Sequence, residues 1–251
     1  MKIALLVPSR ERLNLKLTLI SSIITTVSDI NNVSLYFGID DDDPTKDIVK
    51  KISSAIPFVH IVPIHNEGKF IGINRIWNQL AAVAQVDHDI FGYIGDDMVF
   101  RTPAWDSEIL NEFTDKNCPP DQIKMVHCND GYHGPRLCVN AFIHKKYYEI
   151  LGYLCRPEFP INYSDSWMWE TFSAFKRITY IPHILIEHNH WTIKKTAPDK
   201  TAQRMIGDNR ERISDKLWED LGPERDKDVL KLAAYIKQVP DWSVVSNKFR
   251  S

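Results

Sequence analysis

The sequence has no apolar run approaching the ~18 residues that a membrane-spanning helix needs. It holds four cysteines, Cys118, Cys128, Cys138 and Cys155, and no two of them stand at CxxC spacing. That spacing argues against a structural zinc site and leaves four free thiols as the expectation for a cytoplasmic chain. Neither sign of charge dominates: 31 lysines and arginines face 33 aspartates and glutamates, a net charge of −2. General polyanion binding is disfavoured, although a local basic patch is not. No internal repeat, linker or low-complexity segment interrupts the chain. Residues 8–13 contain no glycine, so the loop after the first apolar segment is not built to wrap a triphosphate. The N-terminal apolar stretch lacks a small-residue cleavage site and reads as a strand, not a signal peptide.

What is present is ordinary globular composition, 43% apolar and 25% charged over 251 residues. A core of useful size is within reach of that length without staples. Ile3 to Val7 is a short apolar run closed by Pro8-Ser9-Arg10. Leu13, Leu17, Ile20, Ile24 and Val27 then recur at helical spacing. Val33 to Ile39, Phe58 to Pro63 and Ile90 to Ile94 read as further strands. Thr45 to Ala55 and the series Ile73, Ile76, Trp77, Leu80, Ala84 read as the helices between them. Alternation with short connections predicts an α/β fold with an open, twisted, mostly parallel sheet flanked by helices. The second half is less regular. Helices are expected over Trp105 to Phe113 and Ser166 to Phe175, and strands over Ile123 to Cys128, Leu137 to Ile143 and Ile178 to Glu187. After Trp191 the chain turns polar, and Val229, Leu232, Ala233 and Ile236 predict a last helix.

Ligands of open parallel sheets bind beyond the carboxyl ends of the strands, so the residues just after each strand matter most. They are Ser9 and Arg10; the run Asp40 to Asp43; His65, Asn66 and Lys69; and Asp96 and Asp97. Asp96-Asp97 after a buried strand concentrates charge that a divalent cation would relieve, the alternative being an Asp-rich turn. Most of Asp40 to Asp43 reads as a solvated turn, with Asp40 or Asp41 free to accept from a nucleobase N–H. His188 and His190, two apart on a strand, share a face and suit a metal. Asp165 is either a helix cap or a general base, with Glu170 in reserve. Lys69, Asn74, Arg75 and Asn78 surround a helix start suited to phosphate. Trp167, Trp169 and Trp191 are core residues or the lining of an acceptor pocket.

In order along the chain these segments resemble a GT-A glycosyltransferase of the family-two type. Val7-Pro8-Ser9-Arg10 and Gly38-Ile39-Asp40-Asp41-Asp42-Asp43-Pro44 are similar to its first two strand ends. Asn66-Glu67-Gly68-Lys69 with Asn74 resembles the approach to its nucleotide-proximal helix. Tyr93-Ile94-Gly95-Asp96-Asp97-Met98 resembles its DxD metal turn, with glycine at the first position. Tyr163-Ser164-Asp165-Ser166-Trp167 resembles the base segment, with Ser164 where the family carries Glu. His188-Asn189-His190-Trp191, followed by Lys195 and Asp199, resembles the late histidine motif of small bacterial and bacteriophage members.

The resemblance covers roughly residues 1 to 200 and implies a metal-dependent, nucleotide-sugar glycosyltransferase with a Rossmann-like GT-A fold. A nucleotide-sugar-binding half (residues 1–100) and an acceptor-side half (101–225) would form one catalytic domain, with 226–251 a C-terminal helix and tail. Mn²⁺ or Mg²⁺ would sit on Asp97 with His188 or His190. A donor, UDP-linked by expectation, would meet Pro8, Ser9, Arg10, Asp40, Asp41, Lys69, Asn74 and Asp96. Asp165 would deprotonate an acceptor hydroxyl and transfer would invert; if Asp165 only caps its helix, a retaining route stays open. The acceptor would be a glycan or a hydroxymethylated base in phage DNA, the latter met by Lys194, Lys195, Lys200, Arg204, Arg210, Arg212 and Lys216. The alternatives are another metal-dependent nucleotide enzyme, such as a sugar nucleotidyltransferase, or a non-catalytic sugar-binding module on the same fold. A cytoplasmic location is expected, and the sequence carries no signal for oligomeric state.

Overall fold

The structure, a computed structural model, describes residues 1–191, 195, 199–200, 203 and 209–245. Its centre is β1 (Ile3–Pro8), whose six residues are all buried. A continuous apolar run of this kind is what a parallel strand covered on both faces requires. Around it the chain runs α1 (Leu13–Thr26), β2 (Val33–Asp40), α2 (Lys46–Ala55), β3 (Val59–Ile64), α3 (Ile73–Ala84) and β4 (Ile90–Tyr93). The second half continues β5 (Met98–Phe100), α4 (Trp105–Glu112), β6 (Met125–Asn129), β7 (Ala141–His144), α5 (Lys146–Leu151), α6 (Ser164–Ser173) and β8 (Ile178–His188). Two helices close it, α7 (Arg210–Asp220) and α8 (Gly222–Ile236).

The eight strands lie in the order β3-β2-β1-β4-β7-β6-β8-β5. Pairs β3–β2, β2–β1, β1–β4 and β6–β8 are parallel, and β4–β7, β7–β6 and β8–β5 are antiparallel. The sheet is thus parallel over the first four strands and mixed beyond them. Alternation along β1 feeds two cores. Ile3, Leu5 and Val7 pack with Leu19, Ile20 and Ile23 of α1, while Ala4 and Leu6 pack with Trp77, Leu80, Ala81 and Ala84 of α3. Each fully buried Leu or Ile contributes about 2 kcal/mol of transfer free energy. The second core continues through Tyr147, Met168, Phe172, Val229 and Leu232, which anchors α5, α6 and α8 on the same face. The four cysteines are buried and free.

Three sequence expectations are revised. Helix α1 exists, but its buried face is Lys16, Leu19, Ile20, Ser22, Ile23 and Thr26, whereas Leu17 and Ile24 are exposed. The face follows the packing of Leu19, Ile20 and Ile23 against β1, which carries Lys16 inward, where its Nζ donates to the Glu11 carbonyl at 2.8 Å. The strand expected from Leu137 starts at Ala141, after a 3-10 turn over Gly134–Arg136. Asp165 lies inside the first turn of α6, which begins at Ser164 and not at Ser166.

Candidate active site

The in-register pairs Pro8↔Gly38 and Leu6↔Tyr93 bring the ends of β1, β2 and β4 level. A cavity of about 530 Å³ opens beyond them. Pro8, Ser9, Arg10, Asp40, Lys69, Asp96, Asp97, Asp165, His188 and His190 all line it. Ser9, Asp96 and Asp97 are among its buried groups.

The wall after β1 is a web of charge-assisted bonds. Ser9 Oγ donates to Asp96 Oδ2 at 2.5 Å, and Arg12 Nη1 donates to Asp96 Oδ1 at 2.8 Å. The remaining fork of Arg12 engages Asp199 at 2.7 and 3.0 Å. Burial pushes the Asp96 carboxyl up, against the opposing pull of Arg12. Arg10 holds Asp40 at 2.9 Å and Asp42 at 2.5 and 2.9 Å. Its bond to Asp42 raises it above the ordinary guanidinium range and holds Asp42 below the carboxylate range. Where a glycine would relax the loop, Glu11 instead adopts φ 62°, fixed by Asp43 on its N–H and by Lys16 on its carbonyl.

The second wall is the turn Gly95-Asp96-Asp97 leading into β5. Antiparallel pairing of Met98 with His188 sets the turn against the end of β8. His188 Nε2 lies 3.3 Å from Asp97 Oδ1, and the His188 and His190 rings are 5.1 Å apart. Burial pushes the Asp97 carboxyl up, but His188, His190 and Arg12 together outweigh it and hold it below its usual range. A Cβ on residue 95 would stand 2.7 Å from Asp97 Oδ1, so a side chain there would displace that carboxylate oxygen. One ionised carboxylate beside one imidazole nitrogen is a chemically suitable donor pair for Mn²⁺ or Mg²⁺. No group of three His, Cys, Asp or Glu able to hold an ion occurs among the described residues. An ion here would therefore draw its other ligands from a bound substrate or water.

The third wall belongs to the irregular half. Consecutive left-handed residues, Asn162 (φ 58°) and Tyr163 (φ 62°), turn the chain into α6 and bring Asp165 to the cavity. Asp165 Oδ1 accepts the Ser166 N–H at 2.8 Å, and burial raises its pKa. Tyr163 donates to Asp215 of α7 at 2.7 Å, and both Glu211 and Asp215 line the cavity. His133 lines it as well, bonded to the buried Asp130.

Several predicted residues do not join the cavity. Asp41 faces outward and pairs with His65 at 2.6 Å and with Lys46. Asn74 is fully buried and donates to the Arg156 carbonyl, while Asn78 and Arg75 bond the 154–157 backbone. These three side chains of α3 bond the junction with the second half, while Asn74 Oδ1 is buried without a hydrogen-bond partner among the described residues. Glu170 is bound to Arg225 at 2.5 Å. Trp167 packs with Phe159 and Trp218, Trp169 lies against His127, and only Trp191 of the three tryptophans lines the cavity. Lys194 and Arg204 lie outside the described residues. Of the other basic residues, Lys195 pairs with Glu187, and Arg210 covers Phe70 at 4.0 Å. On α7, Arg210, Arg212 and Lys216 are interleaved with Glu211, Asp215, Glu219 and Asp220, so that helix presents no uniformly basic face.

Sequence reading missed Arg12, Asp130, His133, Glu211 and Asp215. Arg12 sits two residues beyond a recognised motif and could have been found by extending it. Asp130 and His133 carry no periodic signal, and α7 lies in a stretch too polar to announce a helix.

No protein-family model matches the chain, and no curated protein resembles it in sequence. Solved structures do resemble it in fold. S. aureus TarS 1-349 in complex with UDP aligns with TM-score 0.57 and 12% identity, covering 74% of this chain and 59% of that one. Mannosyltransferase PcManGT from Pyrobaculum calidifontis, in complex with GDP-Man and Mn²⁺, aligns with TM-score 0.60 and 14% identity over 93% and 73%. Glucosyl-3-phosphoglycerate synthase from Mycobacterium tuberculosis, in complex with Mn²⁺, UDP and phosphoglyceric acid, gives 0.51 and 13% over 96% and 80%. The chain spans 59% of the TarS 1-349 chain in its UDP complex and 43% of the longer TarS chain. At these identities the likeness establishes a shared GT-A fold.

Proposed function

We propose that the protein is a nucleotide-sugar-dependent glycosyltransferase of the family-two type, similar to small bacterial and bacteriophage members. The observation that carries the reading is a convergence. Ser9, Arg10, Arg12, Asp40, Asp96, the Asp97–His188 pair and Asp165 line one cavity at the carboxyl ends of β1, β2 and β4. The fold neighbours bound to UDP, GDP-Man and Mn²⁺ support it.

In this reading residues 1–100 bind the donor, 101–225 bind the acceptor, and 226–251 pack as a helix and tail. Arg10 and Arg12 supply guanidinium forks for the donor's charged groups, and Asp40 accepts from the base. Asp97 and one of His188 and His190 would hold Mn²⁺ or Mg²⁺, which would supply a Lewis acid for the charge on the leaving diphosphate. Asp165 takes the proton of the acceptor hydroxyl as that oxygen attacks the anomeric carbon, so transfer inverts. Burial at the start of α6 raises its basicity, which suits the role. The donor is read as UDP-linked. The acceptor is a hydroxyl on a glycan or on a hydroxymethylated DNA base. The carboxylates Glu211 and Asp215 at the cavity favour the uncharged glycan over a phosphate backbone.

A thermal-shift screen of nucleoside diphosphates and their sugars, with and without Mn²⁺, tests the assignment. One nucleotide should raise the melting temperature only with metal present. A ligand at a hundredfold its Kd adds about 2.7 kcal/mol, a shift of several degrees. A flat screen on folded protein contradicts it.

A further inference from the structure

The Arg12 guanidinium bonds two carboxylates that are held very differently. Its Nη1 donates at 2.8 Å to Asp96 Oδ1. Asp96 is 5% exposed, belongs to the turn after β4, and also accepts from Ser9. That partner is fixed by burial. The other edge of the guanidinium, Nε and Nη2, donates at 2.7 and 3.0 Å to the two oxygens of Asp199, 187 residues further along the chain. The Asp199 side chain is 42% exposed, against 13% for Arg12. Arg12 lines the cavity together with Ser9, Asp96 and Asp97. A diphosphate in that cavity would therefore meet a guanidinium whose fork a carboxylate already holds.

A guanidinium edge with two parallel N–H groups fits a carboxylate and a phosphate alike, and two such anions cannot share one edge. The half-exposed Asp199 is the partner that water can take back at little cost, since an ion pair open to solvent is worth little. Asp96, buried and bonded twice, is not.

We infer that Asp199 is an internal competitor of the donor: it holds the Arg12 fork until the donor's diphosphate takes its place. The inference rests on the glycosyltransferase reading, with Arg12 as a contact of the donor's charged groups. One anion replaces another on the same N–H pair, and no covalent bond changes. Arg12 stays paired throughout, and the same carboxylate reclaims the fork as the diphosphate product leaves. Apparent donor affinity is lowered by the fraction of molecules in which the fork is taken. Removing the carboxylate therefore tightens binding, the opposite of what loss of a donor contact does.

Two titrations on the full chain decide the matter. The first is calorimetry of UDP and of GDP, each with Mn²⁺, into the wild type, Asp199→Ala and Asp199→Asn. The diphosphate that binds the wild type should bind Asp199→Ala at least about threefold tighter, the scale of a solvent-exposed ion pair. Asp199→Asn should fall between them, because its amide keeps one acceptor oxygen. Unchanged or weaker binding overturns the inference. The second is ligand-observed NMR with the matching nucleoside, uridine or guanosine, which lacks the phosphates and should bind the wild type and Asp199→Ala alike. An equal gain for the nucleoside would mean that Asp199 only narrows the cavity, and overturns it as well. Failure of the glycosyltransferase reading is seen separately, as a wild type that binds neither UDP nor GDP with Mn²⁺, and the inference falls with it. A wild type that binds one of them beside variants that gain nothing removes the inference alone. Melting temperatures establish that the variants fold, and the isosteric Asp199→Asn carries the test should Asp199→Ala not.

Discussion

At the residue scale the site turns on a few atoms that tolerate little substitution. Gly95 gives the clearest case. Its motif position is one where the resembled family carries an acid, yet a side chain there would meet the Asp97 carboxylate at 2.7 Å. Gly95→Ala should therefore fold normally and lose at least tenfold in Mn²⁺-dependent nucleotide affinity, read by calorimetry. Unchanged affinity would show that the Asp97 carboxylate makes room for the methyl without losing its hold on the metal. Asp165 makes a different prediction, because it shares the cavity but no bond with the Arg10 and Arg12 webs. Asp165→Asn should retain nucleotide binding and lose transfer by roughly 10²-fold or more, the scale of a general base. Transfer at the wild-type rate would leave Asp165 as a helix-start residue only. The motifs at strand ends were legible in the sequence because a strand end is a position that composition marks: an apolar run stops and ionisable groups begin. Asp130 and His133 were not legible, since their pairing depends on a turn closed by three backbone N–H groups.

At the scale of elements, α6 carries Asp165 and is clamped from behind. Arg225 of α8 pairs with Glu170 at 2.5 Å and lies 4.1 Å from the Trp218 ring centroid. Asp228 accepts from Tyr153 and from Trp167 Nε1. Removing one partner of a buried ion pair leaves the other charge unpaired, at a cost of about 3 kcal/mol. Arg225→Met should lower stability by about that amount in urea denaturation, with Glu170→Gln in the same background recovering part of it. No loss would show that the pair breaks even against solvation. The sequence placed α6 and α8 by their apolar spacing, yet it offered Glu170 as a reserve base. Burial against Arg225 gives that carboxylate a structural task. Helix α1 shows the converse: its period was readable, but its buried face includes Lys16, Ser22 and Thr26, polar residues that no hydrophobic pattern reveals.

For the whole molecule, histidines make acid sensitivity a property of the fold. Burial lowers the pKa of His60, His88, His127, His144 and His190, with His127 pushed down to about 4. An unfolded histidine titrates near 6.5. Between those values the unfolded chain binds a proton that the native one does not, so stability is full above about pH 6.5 and falls toward pH 4. His127 alone contributes up to about 3 kcal/mol of that loss. Urea midpoints at pH 7.5 and 5 should show the decline, and His127→Phe should reduce it. A midpoint that rises on acidification would contradict the burial argument. The parallel half of the sheet was legible from alternating segments. In the mixed half β6, β7 and β8 were legible as apolar segments, but β5 and α7 were not, because β5 is only three residues long and α7 is too charged to show an apolar face.

The central claim is a metal-dependent nucleotide site on Asp97, and titration calorimetry of UDP into the wild type and Asp97→Asn, each with and without Mn²⁺, tests it most directly. Micromolar binding that needs Mn²⁺ in the wild type and is lost in a folded Asp97→Asn protein is the predicted result. Equal binding in both proteins, or binding indifferent to metal, would contradict it.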